Sequence, residues 1–241
     1  MPTLAAQLAA FREGLDTHES TVLGAEREAA RALLAARAGA AGVLDAADHA
    51  LAAAEGLARA LVVLQPGKAI ACREGCHHCC YLKVSATPPE IFALADYLRR
   101  SWPPDALVAL RARTAALAAD PRLLSADEKA RARLPCPLLT AAGTCGAYEA
   151  RPLACRGWTS TDATACERGL DDDSEPPLTN EKLSRETAAL GIGLLDALAD
   201  AGLGSEVVEL TSALHIALSE PHAFERWLRG EAVFSAATSE H

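Results

Sequence analysis

The sequence predicts a mainly α-helical protein, a helical domain around a cysteine-rich irregular segment, with at most a short β-hairpin. Three observations lead there. Half of the 241 residues are apolar, yet aromatics make up only 4%. Ala and Leu supply most of the apolar share, and Ala loses the least side-chain entropy in a helix, whereas strands favour branched and aromatic residues. Apolar positions recur at three- and four-residue steps through both ends of the chain. That period disappears over residues 134–166, where Pro135, Pro137, Gly143, Gly146, Pro152 and Gly157 punctuate the sequence.

Three stretches follow from this patterning: an amphipathic helical arm over 1–67, a cysteine region over 68–168, and an acidic linker with C-terminal helices over 169–241, together forming one compact domain. In the arm, Leu4, Leu8, Phe11 and Leu15 mark one helix face. A second helix is expected from about Thr21 to Arg37 and a third from about Leu44 to Leu64, stopped by Pro66-Gly67. His18 and His49 stand alone here and read as surface or packing residues. Thr87-Pro-Pro-Glu90 reads as a capped helix start, with Thr87 as N-cap, Pro88 as first helical residue and Glu90 as capping-box partner. Ile91, Leu94, Ala95 and Leu98 continue as one apolar face until Trp102-Pro103-Pro104 breaks it. Helices over about 105–119 and 125–133 follow, the second opened by the box Ser125-x-x-Glu128. Residues 134–166 are expected as a structured loop with a turn near Ala142-Gly143. A loop of that length needs something other than an apolar core to hold it. Asp171-Asp-Asp-Ser-Glu-Pro-Pro177 reads as the linker. Helices return at about 180–201, 206–219 and 221–229, the last opened by Pro221 and closed by Gly230.

All eight cysteines fall between Cys72 and Cys166. Cys72, Cys76, Cys79 and Cys80 form a tight run that also holds His77 and His78. Cys136, Cys145, Cys155 and Cys166 are spread through the irregular segment. Were residues 72–80 helical, steps of 100° would place all four thiols of the run within an arc of about 100°. Four cysteines among Arg, Glu, Gly and His make a poor apolar face, so soft sulfur ligation is the stronger reading. Zinc held by four thiolates and an iron–sulfur cluster both fit such a donor set, as one centre or two. With thiols in surplus, His77 and His78 are expected to point away, and Glu90 is explained by its cap.

Charge is uneven. Residues 1–67 carry 5 basic and 8 acidic side chains (−3), residues 68–168 carry 14 and 10 (+4), and residues 169–241 carry 4 and 14 (−10). The cysteine region is thus the basic part of an acidic chain, as arginines offsetting an anionic thiolate centre would make it. Tyr148, Arg151 and Arg156, set among the cysteines, could donate hydrogen bonds to sulfur or fix the Arg151-Pro152 turn. No long basic stripe with interleaved aromatics occurs, which disfavours nucleic-acid binding. The N-terminal stretch lacks a basic start, and no apolar run nears the roughly 18 residues a membrane helix needs. The cytoplasm is the expected location, where disulfides are rare.

Taken together, Cys72-x3-Cys76-x2-Cys79-Cys80, Val84-x2-Thr87-x2-Glu90, Cys136-Pro-Leu-Leu, Gly143-x-Cys145-x2-Tyr148-x2-Arg151-Pro152-x2-Cys155-Arg156 and Cys166 resemble the YkgJ-type cysteine cluster proteins. These carry the CxxCxxCC domain, to which zinc or iron chelation is ascribed. The resemblance covers about residues 70–168 and implies metal binding by the eight cysteines. One spacing differs: three residues separate Cys72 from Cys76 where the family name implies two. A related cluster in flagellin lysine-N-methylases leaves an iron–sulfur-dependent redox or protein-modifying enzyme as an alternative. A metal-free thiol sensor built on Cys79-Cys80 is another.

Overall fold

The computed structural model describes residues 4–64, 70–73, 75–171 and 179–238. The predicted Pro66-Gly67 stop and the acidic linker of 171–177 fall, apart from Asp171, outside the described residues. Eleven α-helices and one two-stranded antiparallel sheet occur among those described, so the chain is mainly α-helical.

The arm forms α1 (Leu4–Glu13), α2 (Thr17–Ala36) and α3 (Ala40–Leu64). Helix α2 starts earlier than its apolar period does, because Asp16 and Glu19 close a capping box: Asp16 Oδ1 accepts from the Glu19 N–H at 2.7 Å and Glu19 Oε2 from the Asp16 N–H at 3.0 Å. Helices α2 and α3 pack with α9 (Glu181–Asp200). Their shared core is almost all small: Ala30, Ala46, Ala50, Ala54 and Ala197 are wholly buried, with Leu190 and Leu194 from α9. The singly placed histidines are partnered at this surface, His49 with Glu26 and His18 with Glu186, each at 3.0 Å.

The larger core lies around α4 (Pro88–Ser101), α5 (Pro104–Ala118) and α10 (Leu210–Ser219). Ile91, Leu94, Ala95 and Leu98 are fully buried, the face their spacing predicts. Phe92 stacks on Phe224 of α11 (Ala223–Leu228), with ring centres 4.1 Å apart, and meets Trp227 and Phe234 at the same end. The sheet pairs β1 (Ser85–Ala86) with β2 (Val208–Glu209), matching Ser85 to Glu209 and Ala86 to Val208. Each strand runs directly into a buried helix, α4 or α10, and so fixes where both begin. Short α6 (Ala126–Arg131) starts at Ser125, whose hydroxyl accepts from the Glu128 N–H.

In the tight cysteine run Gly75 adopts a φ of +83° and His78–Tyr81 makes a tight 3-10 turn, so the helical placement of its thiols does not apply. One sequence expectation needs correction here. The 134–166 stretch is not loop throughout, since α7 (Leu153–Gly157) and α8 (Ala163–Asp171) carry Cys155 and Cys166. Five residues are too few to display an apolar period, which is why α7 escapes pattern reading. The expected turn near Gly143 is present as one antiparallel bridge, Leu139 to Cys145, with Gly143 at a φ of +74°. No helix of the described residues is long and apolar enough to cross a membrane.

Candidate metal centre

Backbone hydrogen bonds bring the two cysteine groups together. The Cys136 N–H donates to the Cys80 carbonyl at 2.7 Å, and the Ala71 N–H to the Ser160 carbonyl at 2.8 Å. The first tie sets the spread group against the end of the tight run; the second sets the start of that run against the turn before α8. Between these ties, the Cys76 N–H donates to the Arg73 carbonyl at 3.0 Å, with left-handed Gly75 beside it.

All eight cysteines are unpaired thiols. Cys72, Cys76 and Cys166 lie within electrostatic reach of one another at the α8 end. Cys80, Cys136, Cys145 and Cys155 form a second neighbourhood further in. Cys79 touches both, and the Cys80 thiol donates to it. That bond, helped by Arg151 and His77, holds the Cys79 thiol down to about 7 despite burial. Its partner Cys80 is pushed far up, first by giving its proton to that bond and then by burial. Burial is the leading cause that raises Cys72, Cys145 and Cys166, pushes Cys136 up to about 11, and drives Cys155 higher still. As whole residues Cys136 and Cys155 are partly exposed, but their thiols face inward.

Several amides are aimed at sulfur. The Ser160 N–H lies 3.4 Å from Cys72 Sγ, the Leu138 N–H serves Cys136, and the Ala147 N–H serves Cys145. The Ser160 side chain also bonds to Cys166. Such donors favour the ionised thiolate, the form that ligates metal. None of them is legible in the sequence, because a backbone donor leaves no residue-type signal, and Ser160 reaches Cys72 only through the fold.

The residues between the cysteines divide by task. Arg156 is buried and spends its guanidinium on protein oxygens: the Arg151 carbonyl at 2.9 Å, the Glu149 carbonyl, and the Glu55 carboxylate of α3. It clamps the Tyr148–Ala150 turn and α7 onto α3. Arg151 stacks over Tyr148, 4.1 Å from the ring centre, and its charge reaches Cys79, Cys145 and Cys155. Tyr148 is otherwise exposed. Glu90 is held by Thr87 and by the Leu153 N–H at 2.7 Å, so both carboxylate oxygens serve the starts of α4 and α7. His77 Nδ1 bonds the Gly75 carbonyl at 3.0 Å and its ring stacks on His78. Pattern reading also passes over Lys129 and Glu209, a buried pair 3.8 Å apart whose charges both reach Cys136.

Among the described residues, no three His, Cys, Asp or Glu side chains stand close enough as placed to hold one ion. The chemistry of the donor set nevertheless fits a sulfur-seeking metal: eight unpaired thiols in two adjoining neighbourhoods, with amides directed at their sulfurs.

Comparison with known proteins points the same way. Residues 71–168 match the family model described as "CxxCxxCC: Putative zinc- or iron-chelating domain". No curated protein and no solved structure matches the chain.

Proposed function

With the chelating-domain match over residues 71–168 as premise, we propose that this segment binds zinc or iron through cysteine thiolates. The bound ion fastens the segment to the helices around it. Its ligands come from Cys72, Cys76, Cys79, Cys80, Cys136, Cys145, Cys155 and Cys166. The gathering of thiols from the tight run, the Gly143 hairpin, α7 and α8, with amides directed at sulfur, carries this reading. Burial leaves most of these thiols protonated without a cation, and a metal takes the place of those protons. Arg151 offsets part of the resulting negative charge and Arg156 holds the turn that presents it. Eight unpaired thiols accord with the reducing cytoplasm.

Anaerobic purification followed by zinc, iron and acid-labile sulfide analysis tests the proposal. Bound zinc or iron is expected, and sulfide would identify an iron–sulfur cluster. A folded protein free of all three would refute it. The bond between Cys80 and Cys79 favours a second reading, a metal-free thiol sensor. Thiol titration of the native, as-isolated protein separates the two: chelation predicts masked thiols, sensing predicts free and reactive ones.

A further inference from the structure

A groove of about 600 Å³ runs between α3, α4 and the Tyr148–Ala150 turn, a volume within the range of ligand pockets. No cysteine is among its lining residues. Buried Leu51 and Ala93 form an apolar floor, and Tyr97 and the exposed Tyr148 add their rings. Its charges are unequally partnered. Arg100 is engaged by Asp96 at 2.8 Å, and Arg156 by Glu55 and two carbonyls. The Asp48 and Glu149 carboxylates also line the groove, and among the described residues neither has a hydrogen bond or ion pair. Burial raises the Asp48 pKa, Arg100 opposes that, and the Asp45 and Asp96 carboxylates raise it further. A cation seated beside Asp48 would offset both the burial and the neighbouring negative charge.

These two carboxylates stand at opposite ends. Asp48 and Glu55 lie seven residues apart on one face of α3, about 10 Å along its axis at a rise of about 1.5 Å per residue. Arg156 binds both Glu55 and the Glu149 carbonyl, so Glu149 belongs to the Glu55 end. We propose that the groove binds a linear aliphatic polyamine, one ammonium group at Asp48 and another at Glu149. Its methylene chain lies on Leu51, Ala93 and the tyrosine rings, where burial of apolar surface favours it. An ammonium group beside a tyrosine ring is also attracted to the face of that ring. A compound with one cation reaches one end of the groove, and a metal ion, as a point charge, cannot span it. Binding here does not require metal at the thiols.

Calorimetric titration of the full chain with spermidine tests this. Physiological ionic strength is used, so that diffuse attraction to a chain of net charge −9 is screened. Saturable binding of one spermidine per chain is expected. It should be roughly tenfold tighter than binding of butylamine, because the second ammonium group binds from an already tethered position. Magnesium ion should bind more weakly than spermidine as well. Asp48→Asn and Glu149→Gln should each weaken spermidine by about fivefold, the scale of an exposed ion pair. Both replace exposed side chains, so the melting temperature should hold. Asp127→Asn, on α6 outside the groove, should leave the affinity unchanged. Spermidine that fails to saturate, or that magnesium ion or butylamine matches, would overturn the proposal. So would an affinity unaltered in both groove variants, or one that Asp127→Asn weakens equally.

Discussion

Glu26 shows how a single buried carboxyl sets a pH dependence. Its side chain is enclosed between α2 and α3, with Oε2 3.0 Å from His49 Nδ1 and Oε1 without a hydrogen-bond partner. Burial pushes it from 4.5 up to about 7, against the opposing pull of His49. Between those two values the folded chain keeps a proton that the unfolded chain has released. Stability contributed by this site therefore falls as pH rises from about 4.5 to about 7 and is flat above. Glu26→Gln removes the titration and still offers an oxygen to His49. The variant should match the parent near pH 4.5 and exceed it by about 1–3 kcal/mol at pH 8. Urea unfolding at intervals from pH 5 to 8 checks this, and a difference that stays constant across the range would count against it. Glu90 is also buried, but two backbone N–H groups and a hydroxyl hold it, so its burial is compensated where that of Glu26 is only half so.

At the scale of elements, the contact between α7 and α9 controls where Cys155 sits. A methyl group at Gly157 would fall 1.9 Å from Thr187 Oγ1, and Thr187 is itself anchored to the Leu183 and Ser184 carbonyls. Gly157→Ala must then lift α7 away from α9 and move the thiol two residues earlier. Overpacking of this kind costs about 1–3 kcal/mol. The melting temperature should fall, and in the metal-free chain Cys155 should be alkylated faster than in the parent. Unchanged labelling of Cys155 would show that the helices yield elsewhere. The sequence discloses helices such as α4 and α6 because their caps and apolar faces are local: Thr87 with Glu90, Ser125 with Glu128, and the Ile91 to Leu98 stripe. It does not disclose α7, too short for a period, or the pairing of β1 with β2, whose partners Ser85 and Glu209 meet only through the tertiary fold. For the candidate site, residue type and spacing identify the cysteines. The left-handed Gly75 and the tie from Cys136 to Cys80 decide which thiols become neighbours, and neither has a local sequence signature.

The whole molecule joins two unlike halves. Helices α2, α3 and α9 bury an alanine seam, and α4, α5, α10 and α11 surround an aromatic cluster, so both assemblies have apolar cores. Residues 134–162 have little of this. Leu138, Ala147 and Leu153 are buried, and polar contacts hold the rest to its surroundings: the Arg113 side chain to the Pro137 carbonyl, Trp102 Nε1 to the Gly146 carbonyl, and Arg156 to Glu55. Local stability follows from such differences, because a segment with few apolar contacts opens without unfolding the rest. If the metal fastens this segment, chelation should act there first. Hydrogen exchange of the metal-loaded and chelator-treated chains should show protection lost across 134–160 and 71–82, while α2, α3 and α9 exchange as before. Cys155→Ser should reproduce much of that pattern without a chelator. Loss of protection spread evenly over all the helices would mean that metal stabilises the fold as one unit. No change anywhere would mean that hydrogen bonds such as those from Cys136 to Cys80 and from Ala71 to Ser160 hold the segment unaided, with the thiols free for other chemistry.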